Sequence, residues 1–148
     1  MGDEAGTEPP REAQPIPFRR AADLAVLRAA VAAKAIAIGL DQAKTAALLV
    51  AITELASNTL QHTSQGTGSF RIWTVPGRLI CQVDDHGSIS LPPGGWQMPS
   101  TPGTRGYGIP LIAALTDHFE CVPHAGGTTW RLHMILSDTR ERRIEVVN

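Results

Sequence analysis

The sequence predicts an α/β (α+β) two-layer sandwich, with about three helices packed on one face of a mixed, mostly antiparallel sheet. Three observations carry this expectation. Two stretches, 21–38 and 42–62, bring apolar residues back at helical spacing. Two pairs of strand-like runs are joined by tight glycine-containing turns, which forces antiparallel pairing. At 148 residues, the chain has the length of one compact domain with ragged ends.

Residues 1–15 carry acids, prolines and glycines and read as a disordered leader. Ile16-Pro17-Phe18 reads as a short edge strand, where proline is tolerated. From Ala21 to Ile38 the chain is Ala-rich, with Leu24, Leu27, Val31 and Ala35 on one face and Gly39 as the stop. Asp41 is the expected N-cap of a second helix that runs to about His62. Gly66 and Gly68 mark a loop. Ser69–Val75 and Arg78–Asp85 are expected as a hairpin around Pro76-Gly77. Residues 88–105 hold four prolines and three glycines, and so long an irregular stretch in a small domain reads as a functional lid. A third helix is expected from Gly108 to about Asp117, with Pro110 in its first turn. His118–Val122 and Thr129–Leu136 form a second hairpin around residues 124–127. Residues 137–148 are a charged tail, which leaves 16–136 as the folded domain.

Composition excludes several classes. The formal net charge is −1, so the chain lacks the basic field of a nucleic-acid binder. No apolar run is long enough to span a bilayer, and the first residues lack the basic start and apolar core of a signal peptide. Cytoplasmic localisation is the resulting expectation. Cys81 and Cys121 sit far apart in apolar strand-like runs and read as buried free thiols.

The residues with chemical potential fall in three places. On the second helix, Glu54, Asn58 and His62 follow one another at one-turn intervals along the edge of the apolar face. They are either a solvated flank or the carboxylate and amide of a metal–phosphate site. An Asn oxygen suits Mg²⁺, and a nearby Glu can polarise an attacking hydroxyl. On the following strand, Asp85 shares a face with Leu79, Cys81 and Val83, so it ends a buried row. It accepts either from local turn N–H groups near Gly87 or from a ligand amine such as that of adenine. Asp84 points the other way and is expected in solvent. The run Gly103-Thr104-Arg105-Gly106-Tyr107-Gly108 then opens a helix. Its glycines allow close backbone approach to phosphate, the helix start adds its dipole, and Arg105 can reach a terminal phosphate. Thr128, in Gly126-Gly127-Thr128-Thr129, sits at a strand start and can bond a base or a water.

Taken together, these residues resemble the boxes of the GHKL ATPase superfamily, which includes gyrase, Hsp90, histidine kinases and MutL. Residues 54–62 resemble its N box, Val83-Asp84-Asp85-His86-Gly87 the next box, Gly103–Gly108 the G-x-x-G-x-G box, and Gly127-Thr128 the last short box. All four occur in the family's order. The short length points to the small branch of anti-sigma regulatory factors with serine-protein kinase activity, of the RsbW and SpoIIAB type.

The resemblance implies the Bergerat fold, with ATP and Mg²⁺ as cofactors. It implies Asn58 as the Mg²⁺ ligand, with His62 one turn further on, and Glu54 as general base toward a partner serine. Asp85 would take the adenine amine, with Gly87 giving clearance and Thr128 assisting through water. Gly103, Thr104, Arg105, Gly106, Tyr107 and Gly108 would lie at the phosphates, with 88–105 as the lid. The implied partners are a sigma factor and an anti-anti-sigma protein of the STAS fold. A homodimer is implied too, for which Ile16, Phe18 and the first helix offer surfaces. Three positions depart from the pattern: Ile89 replaces the usual second glycine, the lid has no cation before Arg105, and Gln61 stands where histidine kinases often carry Lys or Arg. Two alternatives therefore stand beside the serine kinase: a nucleotide-binding switch with weak catalysis, and a detached catalytic domain of histidine-kinase type.

Overall fold

The computed structural model describes residues 8–63, 65–86 and 108–136. The expected lid and the charged tail lie outside the described residues. In chain order the elements are β1 (Ile16–Phe18), a 3₁₀ turn (Ala21–Asp23), α1 (Leu24–Ile38), α2 (Gln42–His62), β2 (Thr67–Val75), β3 (Arg78–His86), α3 (Gly108–Leu115), β4 (His118–His124) and β5 (Gly127–Ile135). The strands form one sheet in the order β1-β2-β3-β5-β4. Every pair is antiparallel, so the mixed component that the sequence suggested is absent among the described residues. The three helices pack on one face, giving the two-layer α+β sandwich. Both outer strands carry a proline, Pro17 in β1 and Pro123 in β4, where a missing ladder donor costs least.

Local chemistry sets the helix ends. Asp23 Oδ2 accepts from the backbone N–H groups of Arg19 and Arg20, at 2.8 and 3.3 Å. That tight turn makes Ala21–Asp23 a 3₁₀ turn and delays α1 to Leu24. Gly39 ends α1 in the left-handed conformation at φ 73°, which a glycine adopts without penalty. Asp41 caps α2 by accepting from Lys44 N–H at 2.9 Å, as expected. Among the helices, α3 stops at Leu115, two residues short of expectation. Asp117 has instead been drawn into the sheet end, where its N–H donates to the His133 carbonyl and its Oδ2 accepts from Ile135 N–H.

The core lies between the layers. Leu27, Val31 and Ala35 of α1 and Leu48, Ile52, Leu55 and Ala56 of α2 meet Phe70, Leu79, Cys81, Val83, Trp130, Leu132 and Met134 of the sheet. Burying each large side chain contributes roughly 1.5–3 kcal/mol. Phe18 is fully buried in this core and is therefore no contact surface for a second chain. Gly68 belongs to β2 rather than to a loop. A Cβ there would stand 2.6 Å from Phe18 Cζ and 2.9 Å from the Asp84 carbonyl oxygen, so the strand crossing needs glycine.

The opposite sheet face is not simply solvated, and Ile80, Gln82 and His133 are buried there. Asp84, expected in solvent, is partly buried on that face. It accepts from Thr129 Oγ1 at 2.6 Å and from Gln82 Nε2 at 2.9 Å, because the β3–β5 register sets Asp84 opposite Thr129. Arg131 extends this polar row, donating to Gln82 Oε1 at 2.7 Å and reaching Glu8 at 3.4 Å. Both cysteines are free. Cys81 is buried, which pushes its thiol pKa far up, whereas Cys121 is only half-buried. No helix among the described residues is long and apolar enough to cross a membrane.

Candidate nucleotide site

Register places the acidic strand end. Asp85 pairs with Thr128 across β3 and β5, on the helix-facing side of the sheet. Its carboxylate is buried, at 1 % exposure, and both oxygens have donors. Oδ1 accepts from Thr128 N–H at 2.9 Å, and Oδ2 accepts from Trp130 Nε1 at 2.8 Å. Among the described residues these donors come from β5; the turn near Gly87 that the sequence suggested lies outside the described residues. An ionised carboxylate has about four lone-pair sites. Among the described residues two donors hold Asp85 in place, and they leave acceptor capacity on its carboxylate. Cys121, across the sheet, has its thiol pKa raised by burial and by the Asp85 charge nearby.

The backbone at this corner tolerates only glycine. Gly127 has φ 148°, and a Cβ on it would overlap the Asp85 carbonyl oxygen and stand 3.1 Å from Asp85 Oδ1. The sequence read Gly127 as a hairpin turn residue. The structure adds that its missing side chain lets β5 close on Asp85.

On α2, Glu54 and Asn58 are half-buried at the edge of the apolar face, while His62 is exposed near the C-terminal end. Among the described residues, neither the Glu54 carboxylate nor the Asn58 amide makes a hydrogen bond with a protein group. Thr59 and Thr63, by contrast, turn their hydroxyls back onto the helix carbonyls of Leu55 and Thr59. α3 packs on α2, and its first residue is set against Asn58. A Cβ on Gly108 would lie 2.7 Å from Asn58 Nδ2 and 3.4 Å from Oδ1. The amide of α2 and the N-terminus of α3 thus share one spot, where the helix dipole favours an anion.

The structure therefore brings two sets together: Asn58 with Gly108, and Asp85 with Gly127 and Thr128. Gly87, Ile89, Gly103, Thr104, Arg105, Gly106 and Tyr107 lie outside the described residues. Sequence reasoning missed Trp130. An indole in a strand reads as core, and only the β3–β5 register, between strands distant in sequence, shows that its N–H reaches Asp85.

Comparison with known proteins bears on the family and the fold. Residues 18–134 match the family model described as the histidine kinase-like ATPase domain. Among solved structures, the RsbU and RsbW domains of a Mycobacterium tuberculosis protein superpose with a TM-score of 0.61 at 20 % identity. The match covers 84 % of this chain and 33 % of the other, so the chain spans about a third of that protein's length. At this identity the likeness concerns the fold. No curated protein matches the sequence.

Proposed function

The chain belongs to the histidine kinase-like ATPase family, and we propose that within it the protein is an ATP-binding anti-sigma regulatory factor. In this reading it has serine-protein kinase activity toward an anti-anti-sigma partner of the STAS fold. The observation that carries the proposal is the packing of Gly108 against Asn58, which joins a metal-binding amide to a phosphate-binding helix start.

Each residue then has a task. Asp85, fixed by Thr128 and Trp130, accepts from the adenine amine, with Gly87 giving clearance. Thr128 assists through a water. The Asn58 side-chain oxygen would hold Mg²⁺, and among the described residues it makes no protein hydrogen bond, which suits that task. His62 flanks the same helix edge. Gly103, Thr104, Arg105, Gly106, Tyr107 and Gly108 cradle the phosphates, and Ile89 lies at the root of the lid. Bound ATP supplies the phosphoryl group. Glu54, one turn before Asn58, takes the proton from the attacking serine hydroxyl. The catalytic contribution of the chain is mostly positioning and charge stabilisation, as phosphoryl transfer requires.

The similarity to an RsbW domain supports a regulatory partnership, with a sigma factor as the second partner and a homodimer as the assembly. The test is incubation of the protein with ATP, Mg²⁺ and a STAS-fold partner, followed by mass spectrometry. The proposal expects one phosphoserine on the partner that is lost when that serine is replaced by alanine. Transfer to a histidine, or binding of the partner without transfer, would instead favour the other two readings of the sequence.

A further inference from the structure

On the sheet face opposite the helices, we propose that His118, Glu120 and His133 form a binding site for a divalent transition metal of the Zn²⁺ class. His118 and Glu120 are two residues apart on β4 and share a face, and His133 stands directly opposite His118 on β5. Their ligand atoms all lie within 4.8 Å of one another. Glu120 Oε1 is 2.9 Å from His133 Nε2, and Glu120 Oε2 is 3.9 Å from His118 Nε2. Ligand atoms about 2.0–2.2 Å from a tetrahedral zinc lie a little over 3 Å apart. Small rotations of His118, whose side chain is 57 % exposed, close the difference. His133 is fully buried and provides the fixed end of the site.

Two imidazoles and one carboxylate are a borderline donor set. They suit Zn²⁺ and its neighbours and do not suit Mg²⁺ or Ca²⁺, which take oxygen. The three side chains leave the fourth position open to solvent. The site is separate from the nucleotide site. His133 and Thr128 are five residues apart on β5 and point to opposite faces, roughly 17 Å along the strand at 3.3–3.4 Å per residue.

One neighbour opposes the metal. Arg78 Nη1 lies 3.2 Å from His133 Nδ1. A guanidinium only donates, so Nδ1 accepts and the proton sits on Nε2, directed at Glu120. Metal binding at Nε2 moves that proton to Nδ1, where the N–H faces Arg78. The half-exposed Arg78 must swing aside. Zinc, once bound, cross-links the edge strand β4 to β5 and stabilises the folded chain by mass action.

The test uses the full chain without a histidine tag, in zinc titration and in Co²⁺ absorption. The expected result is one low-micromolar zinc site with a tetrahedral Co²⁺ spectrum and a zinc-dependent rise in Tm. His118→Ala, at an exposed position, should weaken zinc at least about tenfold without loss of fold. Arg78→Ala should tighten it. Equal zinc affinity in the parent and His118→Ala, or an octahedral Co²⁺ spectrum in both, would overturn the proposal.

Discussion

Gly108, the first residue of α3, is packed against the side-chain amide of Asn58 so closely that a Cβ would stand 2.7 Å from Nδ2. The contact is with the end of a side chain, which can rotate away. Gly108→Ala should therefore fold, since alanine favours helix over glycine. It should push Asn58 out of position and weaken Mg-dependent nucleotide binding by about tenfold, equivalent to about 1.4 kcal/mol. Thermal unfolding and nucleotide titration of the same variant separate the two effects. Unchanged binding would mean that Asn58 is only a flank residue.

Asp85→Asn should cost both stability and adenine recognition. Thr128 N–H and Trp130 Nε1 both donate to Asp85, and an amide can offer an oxygen to only one of them. The other donor is left facing an NH₂ group in a buried position, a loss of about 1–3 kcal/mol. Denaturant unfolding should show this loss, and titration with adenosine nucleotides should show weaker binding. A variant as stable as the parent would contradict the hydrogen-bond assignment.

Glu54→Gln should leave nucleotide affinity within a factor of about two and reduce phosphoryl transfer by roughly 100-fold or more. Single-turnover assays with a phosphorylatable partner check this. Full activity in the variant would assign the base to another group.

Lys44 ties the start of α2 to the end of the sheet. Its Nζ donates to Asp117 Oδ2 at 2.9 Å and to the Ile135 carbonyl at 2.6 Å. Partial burial pulls the Asp117 carboxyl pKa up, but the Ile135 N–H and the Lys44 ammonium outweigh it, and the net shift is downward from 3.8. A carboxyl depressed on folding stabilises the protein above its unfolded pKa. That contribution is lost as pH falls below about 4 and through the folded value. Asp117→Asn should cost about 1 kcal/mol at neutral pH. It should also flatten the stability profile below pH 4, as read by denaturant midpoints at each pH.

Much of this arrangement was legible in the sequence, because its signals are local. The caps at Asp41 and Gly39, the core stripe Leu27-Val31-Ala35 and the buried row ending at Asp85 follow from short-range chemistry and periodicity. The pairing of β3 with β5 was not legible, since Asp85 and its partner Thr128 are 43 positions apart and no turn dictates the register. That register decides what Asp84 and Asp85 touch, so Asp84 was placed in solvent and the Trp130 donor was missed. The close approach of Gly108 to Asn58 was hidden for the same reason, because it depends on how α3 lies against α2.

The central claim is that Asn58 and the start of α3 hold a magnesium nucleotide. Calorimetric titration with a non-hydrolysable ATP analogue, with and without Mg²⁺, on the parent chain and on Asn58→Ala tests it most directly. The account predicts micromolar binding that needs Mg²⁺ and is lost in the variant. No binding at millimolar ligand, or equal Mg-dependent binding in both proteins, would contradict it.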